Sequence, residues 1–275
     1  MTAPTTDERP IAPTSPLYNS RLVRREDLTD ALCIVWVAMD GEPLAFEPGQ
    51  YLTIGVESNG RIVQRPFSVA SSPRKAADGY EFYVRLVENG MFTPLLWRLP
   101  VGHGLRTIGP KGKFMLEPND ERTHVFISSG TGIAPFIAMM DTLRLDGLPR
   151  KAVVLHGCSY IDELGYREHL ESWQRSGAYP VAYVPTISRP HDPRNVGWDG
   201  RTGRVETILD AVLEERGLTA DNAIAYVCGN PDMILSAEAR LLDRGFPEAQ
   251  IKKELYWPKG KAPKAGAMGA APAGD

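Results

Sequence analysis

The alternation of apolar and polar positions divides this chain into two halves with different periods. Between residues 17 and 118, short segments rich in valine, isoleucine, tyrosine and phenylalanine are separated by turn residues such as DGEP, EPGQ and SNG. The segment YEFYVRLV alternates, which places Tyr80, Phe82, Val84 and Leu86 on one face of a strand. One helix is expected in this half, around TPLLWRL. Many short strands with little helix predict a small antiparallel β-barrel.

The period changes near residue 120. Apolar runs such as HVFIS, AVVLHG and IAYVC alternate with helical stretches such as IAPFIAMMDTLRL and RVETILDAVLEER. Continuous apolar strands are typical of a parallel sheet covered by helices, so we predict an α/β domain over residues 119–257. Residues 1–16 and 258–275 carry little apolar content, and both are predicted to be disordered tails.

The composition is that of a soluble globular protein, with 43% hydrophobic and 24% charged residues in a chain of 275. A net charge of -3 offers no general basic surface, and neither a signal peptide nor an apolar run of membrane-spanning length is found. The three cysteines, Cys33, Cys158 and Cys228, are far apart and lack metal-binding spacing. We therefore expect a cytoplasmic monomer without a disulfide framework, a metal, or a nucleic-acid or membrane partner.

Strand ends in the second half carry residues suited to ligand binding, because ligands of parallel sheets bind at the carboxyl ends of the strands. SGTG at 129–132 offers glycines for close approach and a following helix start for phosphate, although an ordinary tight turn explains it about as well. Cys228 ends another strand and precedes Gly229 and Asn230. A lone cysteine at such a position is more often a small buried hydrophobe than a functional group.

Arginines stand near a third strand end. Ser188 and Arg189 follow the strand that contains PVAYVP, and Arg204 opens a helical stretch. A guanidinium can bind a phosphate group through two parallel hydrogen bonds. Taken singly, each arginine fits a solvated surface position better.

The barrel half contains a more unusual stretch, RPFS at 65–68. Alternation puts Arg65 and Phe67 on one face of a strand and Ser68 on the other. A guanidinium, an aromatic ring and a hydroxyl this close together suit a ligand with a phosphate, a flat ring and a polar ring edge. Further along, GMFT at 90–93 precedes a short helical pattern, where a threonine and neighbouring amides could hold phosphate. Alone, an exposed strand and a helix cap would account for these stretches.

Taken together, the motifs resemble those of the ferredoxin–NADP reductase family. RPFS resembles its Arg-x-aromatic-Ser motif and GMFT its Gly-x-x-Ser/Thr pyrophosphate loop, while GTGIAP, CGNPDM and ELYW follow in the family order. The segment ELYW is most similar to the bacterial ferredoxin and flavodoxin reductases, which end in an aromatic pair. The resemblance implies an N-terminal antiparallel FAD-binding β-barrel over 17–118, followed by a parallel-sheet, Rossmann-like NAD(P)-binding domain over 119–257.

The resemblance also implies which residues would bind FAD. Arg65 would pair with an FAD phosphate, Phe67 would pack along the flavin, and Ser68 would hydrogen-bond near flavin N5. The family more often has tyrosine at position 67, so a hydroxyl contact is expected to be lost here. The residues assigned to FAD on this basis are Arg65, Pro66, Phe67, Ser68, Val84, Arg85, Leu86, Val87, Met91, Phe92, Thr93, Thr131, Tyr256 and Trp257.

A nicotinamide nucleotide is implied for the α/β domain. The residues assigned to it are Gly132, Cys158, Ser159, Ser188, Arg189, Arg204, Cys228, Gly229 and Asn230. Relatives that use NADP often have an arginine at the position of Ser159, so two cations here favour NADP(H) while NAD(H) stays open. The residues expected to act at the reacting ring are Ser68, Cys228, Glu254 and Tyr256, with no acid–base step assigned to the glutamate.

The resemblance predicts an NADPH-dependent reductase that passes electrons to ferredoxin or flavodoxin as a transient partner. The alternatives are an NAD(P)H-dependent reductase component of a multicomponent oxygenase and a non-catalytic flavin-binding regulatory module, which the intact motifs disfavour. An acidic carrier would need a basic patch near the flavin edge. Candidates for that patch are Arg74, Lys75, Arg98, Lys111 and Lys113. The eighteen residues after Trp257 are expected to leave Tyr256 in place.

Overall fold

The computed structural model of the chain describes residues 8–255. Its first half is a six-stranded antiparallel sheet with the strand order β4-β3-β6-β1-β2-β5. The strands are β1 (Ser20–Thr29), β2 (Leu32–Met39), β3 (Tyr51–Ser58), β4 (Arg61–Ser68), β5 (Tyr80–Arg85) and β6 (Gly104–Lys111). One short helix, α1 (Thr93–Trp97), follows β5.

The interior of this first half is filled by alternate side chains of the strands. Tyr80, Phe82 and Val84 of β5 are buried there, as the alternation of YEFYVRLV predicts. They pack with Val35 and Val37 of β2, which pairs with β5. The opposite face of β5 therefore points away from the barrel.

The second half is a six-stranded parallel sheet with the strand order β10-β9-β8-β7-β11-β12. The strands are β7 (Thr123–Ser129), β8 (Ala152–Cys158), β9 (Val181–Ile187), β10 (Arg201–Thr202), β11 (Ala223–Gly229) and β12 (Ile251–Leu255). The helices are α2 (Ala134–Leu145), α3 (Arg167–Ser176), α4 (Val205–Glu215) and α5 (Pro231–Asp243). The strand order reverses between β7 and β11, which opens a crevice at their carboxyl ends.

The predicted fold class, an antiparallel barrel followed by a parallel-sheet α/β domain, is confirmed by this architecture. The two halves share one cluster of buried side chains. Ile34 and Tyr83 of the barrel belong to it together with Phe126 and Ile137 of the α/β half. Apolar burial therefore joins the halves directly.

The predicted disorder of residues 1–16 is wrong for the part that the structure describes. Ile11 forms a β-bridge with Ser58, and the Ala12 N–H donates to the Glu57 carbonyl at 2.9 Å. β6 pairs with β3 only as far as Gly55, so the end of β3 offers backbone groups that this segment pairs with. The predicted tail at 258–275 lies outside the described residues. Within residues 8–255, no helix is long and apolar enough to cross a membrane.

Candidate functional site

The motifs SGTG and CGN lie side by side where the strand order of the parallel sheet reverses. Ser128 of β7 pairs with Cys228 of β11. The Ser129 hydroxyl accepts a hydrogen bond from the Asn230 N–H at 2.9 Å. A Cβ atom at Gly132 would lie 2.3 Å from the Cys228 carbonyl oxygen, so a side chain there would collide with backbone. The structure thus brings the two predicted coenzyme motifs into contact.

The turn between β7 and α2 and the end of β11 both have backbone suited to a close ligand. Thr131 lies in the 3-10 turn Gly130–Ile133, directly before α2. Gly229 has a φ of 143°, which a residue with a side chain rarely adopts. Both predicted residues therefore lie at the crevice, although their contacts with a ligand stay predictions.

Glu254 on β12 is the neighbour of Cys228 across the β11–β12 ladder. Burial, and next to it the Glu254 carboxylate, raises the pKa of Cys228 well above the ordinary thiol value. The thiol is therefore neutral at physiological pH. Tyr256 and Trp257, which were predicted to cover the flavin, lie outside the described residues.

Tyr51 connects the predicted barrel site to Glu254. It opens β3 directly opposite Ser68 in the β3–β4 ladder. A Cβ atom at Gly112 would lie 3.1 Å from the Tyr51 ring and 3.6 Å from Glu254 Oε1, so both side chains border the same glycine. Sequence reasoning missed this tyrosine, because after the turn residues EPGQ it was interpreted only as the start of a strand.

The RPFS strand, β4, is an exposed strand in which none of the residues Arg61–Ser68 is buried. Arg65 and Pro66 are exposed, and the Arg65 guanidinium donates to the Gln64 carbonyl at 2.7 Å. Phe67 is half-buried, with its ring centroid 5.6 Å from that of Phe92 and 6.4 Å from that of Phe82. An exposed guanidinium beside a partly covered aromatic ring is the surface that a phosphate-bearing flat ligand needs.

The GMFT loop is organised by the Thr93 hydroxyl. This oxygen accepts a hydrogen bond from the Val87 N–H at 2.9 Å and lies 3.2 Å from the Val87 carbonyl, to which it donates. Because the hydroxyl is engaged inside the loop, the predicted phosphate contacts are expected from the backbone N–H groups of residues 91–93. Met91 and Val87 point their side chains into solvent, whereas Phe92 is buried in the barrel.

The remaining members of the VRLV segment are engaged within the protein. Val84 is buried in the barrel core, and the Leu86 N–H donates to the Ala31 carbonyl at 2.8 Å. The Arg85 guanidinium forms an ion pair with Glu163 of the α/β half at 2.8 Å. The predicted contacts of this segment with FAD therefore depend on its backbone.

The predicted phosphate-binding residues of the coenzyme converge at the ends of three neighbouring strands. The Ser188 N–H donates to the Cys158 carbonyl at 2.9 Å, which holds the end of β9 against the end of β8. Ser159 follows β8, and Arg204 precedes α4 directly after β10. Among residues 8–255, no carboxylate forms an ion pair with Arg189 or Arg204. The Arg189 guanidinium donates to the Tyr160 hydroxyl. The two cations thus lie near Ser159 at one end of the crevice.

Asn195, a residue that sequence reasoning missed, fixes this convergence. It is 3% exposed, and its Nδ2 donates to the Ser159 carbonyl at 3.0 Å and to the Arg189 carbonyl at 2.7 Å. Nearby, the Arg194 guanidinium lies 3.7 Å from the Tyr160 ring centroid. An asparagine in a polar loop gives no signal in the sequence that distinguishes it from other loop residues.

The fold and the crevice define an oxidoreductase that binds FAD and a nicotinamide nucleotide. A family model described as "Oxidoreductase FAD-binding domain" matches residues 20–116, and one described as "Oxidoreductase NAD-binding domain" matches residues 126–239. The chain belongs to the ferredoxin reductase-type family that these two domains define. The predictions of FAD and of a nicotinamide coenzyme are confirmed.

Individual relatives are named as different kinds of enzyme. Ferredoxin–NADP reductase B of Sorangium cellulosum is 30% identical over 220 residues, which are 79% of this chain and 88% of that protein. The phenol hydroxylase P5 protein of Acinetobacter pittii is 29% identical over 241 residues, 87% of this chain and 65% of that protein. A ferredoxin NADP+ reductase structure from Neisseria gonorrhoeae with bound FAD and NADP has a TM-score of 0.73 at 22% identity, covering 86% of this chain and 97% of that one. This last likeness concerns the fold alone.

Proposed function

We propose that the protein is an NADPH-dependent flavin reductase that passes electrons to a one-electron protein carrier, a ferredoxin or a flavodoxin. The observation that carries the proposal is the pair of guanidiniums, Arg189 and Arg204, beside Ser159 at the end of the coenzyme crevice. Guanidiniums without a carboxylate partner favour the extra 2′-phosphate that distinguishes NADPH from NADH. The reductase named for ferredoxin and NADP among the relatives supports the same choice.

The residues of the barrel opening fit FAD. Arg65 would pair with a phosphate, the Phe67 ring would pack along the flavin, and the amides of 91–93 would meet the pyrophosphate. Bound FAD supplies the chemistry of accepting two electrons together and releasing them singly. The protein contributes position and surroundings, because hydride transfer requires the two rings to be held in contact and away from water.

The residues around the reacting rings act by shape and polarity. We expect Ser68 to hydrogen-bond the flavin edge and Tyr51, its partner in the β3–β4 ladder, to form part of the same wall. The neutral Cys228 thiol and the Glu254 carboxylate border the space for the nicotinamide. Since the thiol keeps its proton, it can pack against an uncharged ring without a buried negative charge.

The first test is reduction of the bound cofactor in the absence of oxygen. We expect the purified protein to be yellow and to bleach with NADPH at least about tenfold faster than with NADH at equal concentration, a difference typical of one additional charge-assisted contact. Cytochrome reduction with a panel of ferredoxins and flavodoxins then identifies the carrier. Protein that stays yellow with both coenzymes would instead support a non-catalytic flavin-binding module.

The choice of coenzyme is tested by Arg189→Ala. We expect kcat/KM for NADPH to fall by about 10- to 100-fold, because a bidentate phosphate contact is worth about 1.5–3 kcal/mol, while the value for NADH changes little. Arg175→Ala is a matched control, since that exposed arginine pairs with Glu171 on α3. An NADPH preference that survives Arg189→Ala would contradict the assigned role.

The basic patch predicted for carrier docking becomes smaller in the structure. Arg74 pairs with Asp146 at 2.7 Å and Lys75 with Asp141 at 2.6 Å, so their charges are compensated locally. The Arg98 guanidinium donates to the Arg9 carbonyl. Lys111 and Lys113 are both exposed and are retained as docking candidates.

These lysines flank the glycine that borders Tyr51 and Glu254. Within residues 8–255, no carboxylate forms an ion pair with Lys111 or Lys113. They are therefore free to steer an acidic carrier toward the opening of the site.

A second candidate function is the reductase component of an oxygenase. Relatives with that role match most of this chain, but the chain covers only 65% of the phenol hydroxylase P5 protein and 61% of the reductase component 1 of terephthalate 1,2-dioxygenase. The three cysteines of the chain are buried and separate, and the described residues contain no cluster suited to a metal. Under this alternative, a separate carrier would receive the electrons and pass them to an oxygenase.

A further inference from the structure

Glu163 joins the two halves of the protein through its carboxylate. It ends the 3-10 turn Ile161–Glu163 after β8, and only 7% of the residue is exposed. One oxygen, Oε1, accepts a hydrogen bond from Arg85 Nη1 of the barrel at 2.8 Å. The other, Oε2, accepts from the Ser159 N–H of the coenzyme loop at 3.2 Å.

The backbone of Glu163 makes a second link between the same segments. Its carbonyl accepts hydrogen bonds from the Tyr83 hydroxyl of the barrel at 2.8 Å and from the Cys158 thiol at 3.2 Å. Burial is the main cause that raises the pKa of Tyr83 above its usual range and that of Cys158 to about 12. Both donors therefore keep their protons at neutral pH.

The outer face of β5 continues this contact along its length. Glu81, Tyr83 and Arg85 alternate on that face, and each bonds to the segment that follows β8. Glu81 Oε1 accepts from the Tyr166 hydroxyl at 2.5 Å, and the Gly165 N–H donates to the Tyr83 hydroxyl at 3.0 Å. One face of β5 thus fills the barrel while the other fixes the chain behind the coenzyme loop.

We propose that Glu163 is a positioning residue that sets the separation between the flavin and the nicotinamide. β5 leads directly into the residues assigned to FAD, and Ser159 belongs to the loop assigned to the coenzyme, so the inference rests on the proposed function. The buried Glu163 carboxylate is held by one guanidinium and one backbone amide. Moving it away from either partner would leave its negative charge buried without compensation, so it tolerates little displacement. The contacts of Glu163 would therefore fix the distance between the two rings without touching either ring.

Another ion pair between the halves provides the matched control. Arg74 of the barrel pairs with Asp146, which follows α2, at 2.7 Å. This pair is far more exposed than Arg85–Glu163 and involves neither predicted ligand loop. Removing it measures the effect of losing an interdomain ion pair that is not connected to a ligand loop.

The experiment compares Glu163→Gln with Asp146→Asn in the FAD-loaded protein. For Glu163→Gln we expect the rate of anaerobic flavin reduction at saturating NADPH to fall about tenfold or more, while the coenzyme Kd changes by less than about threefold. Backbone hydrogen exchange at Ser159 and Gly165 should accelerate, with FAD content unchanged. Asp146→Asn should keep the reduction rate within about twofold.

A double substitution tests whether Arg85 and Glu163 act as one link. Arg85→Ala combined with Glu163→Gln should be no slower than the slower single variant, because both changes break the same contact. A Glu163→Gln protein with wild-type reduction rate and exchange would overturn the proposal. If Glu163→Gln does not fold, Glu163→Asp replaces it, since the shorter side chain keeps the charge but cannot span both partners.

The failure of the proposed function would be visible in the wild-type protein. If neither coenzyme reduces it, the function is refuted independently of Glu163. Hydrogen exchange at Ser159 in Glu163→Gln and Asp146→Asn then tests whether Glu163 holds the Ser159 loop to the barrel. Faster exchange in the first variant alone supports that role, and equal exchange in both refutes it.

Discussion

Replacing Gly132 with alanine is expected to weaken binding of the nicotinamide coenzyme by about 10- to 100-fold. The new Cβ atom would lie 2.3 Å from the Cys228 carbonyl oxygen and 2.6 Å from the Cα atom of Gly229. Both are backbone atoms at the end of a buried parallel strand, so the clash can be relieved only by moving the turn away from β11. That movement opens the crevice at the point where the strand order reverses.

The same substitution should also lower stability by about 1–3 kcal/mol, the usual range for an overpacked site. Thermal unfolding and titration with NADPH and NADH measure the two effects. Gly147→Ala is the control at the other end of α2, because Gly147 has a φ of +70° but open space around it. It should cost stability through its backbone conformation while leaving coenzyme affinity intact. Wild-type coenzyme affinity in Gly132→Ala would contradict the steric explanation.

The architecture was predictable because the local pattern and the tertiary burial agree. The alternation of YEFYVRLV places Tyr80, Phe82 and Val84 inward, and these are the residues buried in the barrel. The partners of the outward residues of the same strand could not be predicted. Tyr83 and Arg85 find their partners in a segment near residue 163, and only the packing of the two halves brings that segment within reach.

Charged surface residues were less predictable, for the same reason. Arg74 and Lys75 were interpreted as a docking patch, but α2 and the residue after it bring Asp146 and Asp141 opposite them. A sequence shows which residues carry charge, whereas compensation depends on which elements pack together. Lys111 and Lys113 keep their candidate role because the structure brings no such partner to them among the described residues.

Composition also gave a wrong prediction of disorder for the segment before β1. Residues 8–16 contain few apolar side chains, which is why disorder was predicted. Their order comes from bonds with the barrel, such as those of the Ala12 N–H with the Glu57 carbonyl and of the Ser15 hydroxyl with the Glu57 carboxylate. Almost any sequence can form backbone hydrogen bonds, so the composition of a segment does not show whether it forms them.

Acidification is expected to destabilise the protein strongly through two buried histidines. His124 is 1% exposed, and neither ring nitrogen has a hydrogen bond of normal geometry among the described residues. Burial is the main cause that lowers the pKa of His124 to about 4. Asp120 opposes the shift, whereas Arg150 and Arg122 add to it. Burial likewise lowers the pKa of His156 to about 4.

The sign of the effect follows from which state binds the proton. An unfolded histidine titrates near 6.5, so above that pH both states are neutral and His124 has no pH-dependent effect. Between pH 6.5 and 4 the unfolded chain takes up a proton that the folded protein refuses. Each of the two histidines then costs about 3 kcal/mol of unfolding free energy, and the loss is complete below pH 4.

His124→Phe separates this contribution from all others. The rings of Phe126 and Tyr226 border the site at centroid distances of 5.8 and 5.5 Å, so phenylalanine should pack against them. We expect the loss of unfolding free energy between pH 7 and pH 4.5 to shrink by about 2–3 kcal/mol, measured by urea unfolding with saturating FAD. The contribution of His156 to this loss of unfolding free energy should stay unchanged. Replacing the exposed His191 with phenylalanine is the matched control. If His124→Phe loses as much unfolding free energy on acidification as this control, His124 does not cause the loss.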